Sequence, residues 1–310
     1  MVKSAQNSKN NPTAEPTLGD EAMKKAYKAA SSINLKKMER ENPEDLKYIK
    51  AVKESDVVIV TGQYDHGQVV FELCGMPYSL VSPDDVPGLD LRDDQILFVN
   101  CPGNIESRGL ERIKSFVING GMLVTTDWSL KNVLEQIFPE IAKYNGKATA
   151  DDHVRIVFEK VDDTFLKGLL DPKDEPIWWL EGSSYPIQIL SPEKVKILVS
   201  SKEMQEKYGE SPIVIAFESG KGKIYHLTSH FYLQRSESRS KRQLMTGVSY
   251  MKEKGLSSSD FSESEMAGIS EANLGATEAA YTSVKSVTNM VLEQKKRVEK
   301  RKDEQAKSAD

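Results

Sequence analysis

Short, unbroken apolar runs recur through the first half of the chain. Val57-Val58-Ile59-Val60 stops at Thr61-Gly62, and Pro77 to Val81 forms a second run. Ile96-Leu97-Phe98-Val99-Asn100 forms a third and Met122 to Thr126 a fourth. Continuous β-branched runs of this length mark strands buried on both faces. Between them, residues 67–73 and 108–118 read as helices. After the fourth run, Leu130, Val133, Leu134, Ile137 and Phe138 recur at helical spacing. Strands alternating with helices over short connections predict a doubly wound, mostly parallel α/β sheet, because crossovers between parallel strands need a helix and run right-handed.

Beyond Phe138-Pro139 the pattern changes to strands without strong helices: 154–158, 185–190, 196–199 and 212–217. A Gly220-Lys221-Gly222-Lys223 turn then returns the chain into Ile224-Tyr225-His226-Leu227. These are expected to be extra strands extending or flanking the sheet. Trp178-Trp179, with Pro176, Glu181 and Tyr185, is the densest aromatic cluster. Neighbours on a strand point to opposite faces, so one indole could be core and the other a pocket wall or interface, although core packing explains both equally well.

The ends differ from the middle. Residues 1–17 carry almost nothing to bury and are expected to be a disordered tail, followed by two helices within 18–54, the second opened by Asn42-Pro43. The main domain is expected over 55–235. The serine-rich stretch within 236–269 reads as a linker, and 270–310 as one amphipathic helix. Along that helix Ala280, Val284, Val287, Val291 and Val298 recur in steps of four and three, with Gln294 in the missing place. Such a stripe needs covering, by its own domain, by a second copy or by a protein partner.

The 310 residues carry a net charge of -5 and a pI near 5.6, which gives no basic footprint for nucleic acid. No run is long and apolar enough to suggest a membrane span or a signal peptide, so a cytoplasmic protein is expected. Two cysteines, Cys74 and Cys101, are too few for a disulfide scaffold or a cysteine-built metal site. No cofactor and no metal is expected.

The stretch from Gly120 to Leu130 condenses the pattern. A Gly-Gly turn feeds a strand that breaks at Thr126-Asp127-Trp128-Ser129 before the next helix. Together with Leu97 to Asn104 and with Gly220 to His230, this order of elements resembles the class I glutamine amidotransferase-like fold, closest to its ThuA-like (trehalose utilisation) branch. The resemblance covers roughly residues 55–235 and implies a flavodoxin-like sheet. It also implies that Asp127 stands where amidotransferases present a nucleophilic cysteine. A carboxylate there cannot form the thioester that glutamine hydrolysis requires, so no glutaminase activity is expected.

In an open parallel sheet, ligands gather at the carboxyl ends of the strands. Asp65, His66, Asn100, Cys101, Asp127 and His230 all follow predicted strands and form the candidate pocket. They could hold a small polar ligand. Each also has a structural alternative: Asp65, His66 and Asp127 as helix caps, Cys101 as a small strand-end residue, His230 as a bonded core histidine. The leading expectation is a noncatalytic binding or assembly module that uses its C-terminal helix as the contact element, with a protein partner or homo-oligomer. The runner-up is a hydrolase or isomerase acting on a small polar or sugar-like substrate at that edge.

Overall fold

The computed structural model describes residues 21–309, except 170, 172 and 231–236. The expected tail at 1–17 lies outside the described residues. Twelve strands are described: β1 Val57–Val60, β2 Ser79–Val81, β3 Ile96–Val99, β4 Met122–Thr126, β5 Ala142–Tyr144, β6 Asp152–Arg155, β7 Val157–Phe158, β8 Ile177–Leu180, β9 Ile187–Ile189, β10 Val195–Ser200, β11 Pro212–Ser219 and β12 Gly222–Leu227. The helices are α1 Glu21–Glu41, α2 Pro43–Lys50, α3 Gln68–Leu73, α4 Ser107–Asn119, α5 Glu135–Ile137, α6 Lys202–Tyr208, α7 Gly247–Glu253, α8 Glu263–Glu271 and α9 Leu274–Ala309.

Eight strands form one sheet in the order β2-β1-β3-β4-β12-β11-β10-β7. Pairing is parallel from β2 to β12 and antiparallel from β12 to β7. The predicted strand at 154–158 is divided: β6 pairs with β8 in a separate ribbon, while β7 closes the edge of the main sheet. A second ribbon joins β5 to β9. The result is a mixed α/β fold with a large, mostly parallel sheet and a long C-terminal helix.

The unbroken apolar runs are explained by burial on both sides. Val57, Ile59, Phe98, Val124 and Tyr225 face a core built with α1, α2, α3, α7, α8 and α9. Their alternates Val58, Val60, Leu97, Val99, Leu123 and Ile224 face α4 and the segment 130–138. That segment begins as a π-helical turn, Leu130–Leu134, before α5.

Two expectations are corrected. The stretch 236–269 is not a linker: α7 and α8 occupy much of it, with Tyr250, Met251 and Ile269 buried. Its serines cap helices instead of loosening the chain. Ser262 and Glu265 exchange a reciprocal capping box, and Ser257 with Asp260 does the same for a short 3-10 turn.

The C-terminal stripe does not await a partner. Ala280, Val284, Val287 and Val291 are all buried within the chain, and Val298 is half-buried. From Ala276 to Leu292 α9 is buried on every side, because the sheet, α1 and the 164–167 turn surround it. Several of its polar residues are bonded within the chain: Ser283 accepts from Tyr27 Oη (3.1 Å), Thr288 from Asn34 Nδ2 (3.0 Å), and Asn289 donates to the Phe165 and Lys167 carbonyls (2.8 Å each). Gln294 fills the gap in the stripe by donating to the carbonyls of Gln95 and Gly120, at the amino ends of β3 and β4 (3.2 Å each).

Trp178 and Trp179 are both buried, so neither forms an exposed pocket wall. Their ring nitrogens donate to the Thr228 carbonyl (3.0 Å) and to Asp151 Oδ1 (2.6 Å).

Candidate functional site

The carboxyl ends of β3, β4 and β12, three adjacent strands, each deliver one polar side chain to a common place. Cys101 follows β3, Asp127 follows β4 and His230 lies just beyond β12. One potential ligand atom from each lies within 4.8 Å of those of the other two, and all three residues are buried. His230 Nε2 is 3.6 Å from Asp127 Oδ2, while its Nδ1 pairs with Glu181 Oε2. This set could hold a metal ion or work as a proton-transfer group.

Backbone geometry is unusual at the same place. Among the described residues, the non-glycine positions with positive φ are Asp127 (45°), Ser183 (75°) and Ser229 (67°). Such conformations are uncommon outside glycine and persist where the surroundings enforce them. Here the enforcing contacts are visible. The Asp127 N–H donates to the Leu227 carbonyl (2.9 Å), Trp128 Nε1 to the Ser183 carbonyl (2.7 Å), and the Glu181 N–H to Ser229 Oγ (2.9 Å). Gly62 serves the site by close approach: a Cβ there would lie 2.3 Å from the Cys101 carbonyl. That carbonyl accepts the Gln63 and Tyr64 N–H groups, which seats the loop after β1 on the loop after β3.

The Asp127 side chain caps no helix. Its Oδ1 accepts the Tyr185 N–H (2.8 Å) and its Oδ2 the Ser184 hydroxyl (3.1 Å), so the carboxylate is oriented from the loop after β8. Burial pushes its pKa up to about 7 against the pull of His230, and the Asp65 charge adds to the rise. Burial likewise pushes the Cys101 thiol up to about 11. For His230, burial opposes the charged form, but its hydrogen bonds to Cys101 and Glu181 and the charge of Asp65 outweigh it and hold the imidazolium well above its usual range.

The other candidates divide. Asp65 is buried, accepting the Thr126 hydroxyl (2.6 Å) and the His66 N–H (2.8 Å). It lies near enough to act on Asp127 and His230 by charge. His66 is half-buried at the rim, where burial lowers its pKa and the charges of Asp65, His230 and Glu181 reach it. Asn100 is not a pocket residue. It accepts the Gly67 N–H (2.9 Å) and donates to the Val60 carbonyl (3.0 Å), clipping β3 to β1 and to the start of α3. The cap expected of Asp65 or His66 is therefore supplied by Asn100.

Glu181 and Tyr185 stood out in the sequence only as neighbours of the two tryptophans, and Ser184 not at all; none was placed at the site. The signal was weak, a polar turn directly after the Trp178-Trp179 strand, and only the path of β8 under the sheet edge brings it to Asp127 and His230. That turn also completes an aromatic row: Tyr64 meets Trp128 edge-on (5.2 Å), Trp128 stacks on Tyr185 (5.5 Å), and Tyr185 on Tyr144 (3.9 Å).

No family model matches the chain, and no curated protein matches it. Among solved structures it is similar to the cytoplasmic protein STM3548 of Salmonella typhimurium at 12% identity and a TM-score of 0.41, covering 57% of this chain and 88% of that one. A putative ThuA-like protein of Bacteroides uniformis gives 14%, 0.38, 58% and 84% in the same order. The cold-adapted β-galactosidase of Rahnella sp. R3 gives 15%, 0.39, 57% and 29%, so the chain spans under a third of that enzyme. These values are too low to carry an argument, and the chemistry of the site rests on its own side chains. No helix among the described residues is long and apolar enough to cross a membrane.

Proposed function

We propose that the carboxyl edge of the sheet is a reaction site, that of a hydrolase or isomerase acting on a small polar, sugar-like substrate. The observation that carries this is His230 seated between Glu181 and Asp127 with Cys101 beside it, on strand ends that three strained backbone positions hold in place. A histidine oriented by one carboxylate and facing a second polar group is the arrangement that proton transfer or water activation requires. On this reading the substrate's ring meets the exposed end of the aromatic row, where Tyr64 is 47% exposed beside Trp128.

The fold is read here as class I glutamine amidotransferase-like, of the ThuA-like branch. Support comes from the parallel order β2-β1-β3-β4-β12, which is the flavodoxin-like order, and from the turn at Asp127 after β4. On this reading glutaminase activity is absent, because the turn presents a carboxylate. The assembly-module alternative loses its main support, since the stripe that was to meet a partner is buried within the chain.

The test is a screen of sugar esters, lactones, glycosides and aldose-ketose pairs with purified protein, repeated with His230→Gln and Glu181→Gln. Turnover that falls at least 100-fold in both variants, with melting temperatures kept, is the expected result. Turnover indifferent to both substitutions would remove the edge as the reaction site.

A further inference from the structure

We propose that Cys101, Asp127 and His230 form a three-ligand site for one divalent cation of the zinc type, with a fourth position left to water. The inference rests on the edge being a reaction site and names the agent that acts there.

Geometry is the first argument. Ligands about 2.0–2.3 Å from a tetrahedral zinc lie roughly 3.3–3.6 Å from one another. His230 Nε2 and Asp127 Oδ2, at 3.6 Å, already stand at that separation without any contact between them of hydrogen-bond length. The Cys101 sulfur, already hydrogen-bonded to His230, supplies the third donor, and one ligand atom of each residue lies within 4.8 Å of the other two. The three residues come from neighbouring strands of a rigid sheet, which fixes their spacing better than a loop would.

Donor chemistry is the second. A thiolate, an imidazole nitrogen and a carboxylate oxygen form a mixed set that suits zinc and disfavours magnesium or calcium, which take oxygen alone. Three protein ligands with an open position are the pattern of catalytic zinc, whose bound water becomes the nucleophile of a hydrolase. On binding, the Cys101 thiol proton, the His230 Nε2 proton and any proton on Asp127 leave to solvent, while His230 keeps its Nδ1 proton toward Glu181.

The surroundings are the third and independent argument, because metal ligands are held by outer partners that orient them. Glu181 takes His230 Nδ1 and so directs Nε2 inward. The Ser184 hydroxyl and Tyr185 N–H fix the Asp127 carboxylate, and the Trp128 N–H donates to the Cys101 sulfur. Every proposed ligand therefore has a partner on its far side. Asp65, bound to Thr126 and the His66 N–H, stays outside the set.

The experiment uses the full chain stripped with a chelator and titrated with Zn2+ by calorimetry and with Co2+ by absorption. One ion per chain is expected, with a thiolate-to-Co2+ charge-transfer band and the intense visible bands of a tetrahedral ion. Cys101→Ser should abolish the charge-transfer band, His230→Gln should weaken binding at least 100-fold and Glu181→Gln 10- to 100-fold. Cys74→Ser, which alters the other cysteine, should change nothing. Variants are compared only where near-ultraviolet circular dichroism matches the parent. A stoichiometry near zero, or a Co2+ spectrum unchanged by Cys101→Ser, overturns the proposal. Turnover that persists in metal-free protein would overturn the ion while leaving the reaction site standing. One tightly bound ion without turnover would uphold the ion and defeat the reaction reading.

Discussion

Strand β12 carries a buried charged cluster at each end, and the two are built on opposite plans. At its amino end Lys223 lies 2.8 Å from Asp163 and 3.1 Å from Glu293 of α9, and Asp163 also accepts the Tyr225 hydroxyl (2.9 Å) and the Phe165 N–H (3.0 Å). Signs alternate, and the partners come from elements packed against each other. Beyond its carboxyl end, Asp127, Glu181 and the Cys101 thiol crowd His230, Asp65 acts on it by charge, and the backbone is strained around them. The first cluster is closed: each charge is answered locally and nothing is directed at a common point. The second leaves three unlike donors converging. Burial alone does not separate a structural network from a working site; the separation lies in whether the charges answer each other.

If this contrast is right, the closed network should be the costlier one to disturb. Lys223→Met leaves Asp163 and Glu293 with only the more distant Lys196 (4.0 Å) and Arg297 (3.8 Å) and should destabilise the fold by about 3–5 kcal/mol, read from the denaturant midpoint. A loss below about 1 kcal/mol would place this network in the same class as the edge and break the contrast.

Between the two clusters lies His226, buried and neutral, with Nδ1 2.8 Å from Thr125 Oγ1 and Nε2 unbonded among the described residues. Burial lowers its pKa from 6.5 to about 3. The unfolded chain takes up this proton as pH falls below 6.5, whereas the folded chain resists until about 3, so the unfolded state binds more protons across that window. Stability should therefore fall on acidification, by about 3 kcal/mol from this residue alone by pH 4. Urea melts from pH 7 to 4 should show a flatter pH slope in His226→Gln than in the parent. Identical slopes would show that His226 is not part of the acid response.

The smallest effect is expected at the edge. Asp127→Asn keeps an oxygen for the Tyr185 N–H and turns an amide N–H toward the Ser184 hydroxyl oxygen, but removes a buried negative charge near Asp65. In metal-free buffer its stability should change by less than about 1 kcal/mol, in the stabilising direction. A loss matching that of Lys223→Met in thermal melts would mark Asp127 as structural.

Much of the sheet was legible because its strands are buried on both faces and so write unbroken apolar runs: β1, β3, β4, β11 and β12 were all visible. The antiparallel additions were harder, since one run at 154–158 serves two sheets. The helices after residue 236 were misread because serine has two uses: Ser257 and Ser262 stand three residues before an acid, the signature of a capping box, inside a composition that otherwise suggests a linker. At the site, Cys101, Asp127 and His230 could be found because each follows a strand. Glu181 could not, since its place depends on a chain crossing that no local pattern records. The stripe on α9 was seen correctly as needing cover. What hid its cover was the small polar residues between the valines, Ser283, Thr288 and Asn289, which look solvent-facing and are bonded inside.

The burial of α9 also sets an order on how the chain can be made. Tyr27 and Asn34 of α1 bond to Ser283 and Thr288, some 250 positions later. During synthesis the sheet strands leave the ribosome long before α9, so the part of this sheet face that α1, α2 and α3 do not cover stays wet until α9 is made. Contacts this distant in sequence slow folding and prolong the exposure of sticky surface. The nascent chain therefore passes through a stage in which a chaperone has a surface to hold, the part of the sheet that α9 later covers. The arrival of the last helix ends that stage.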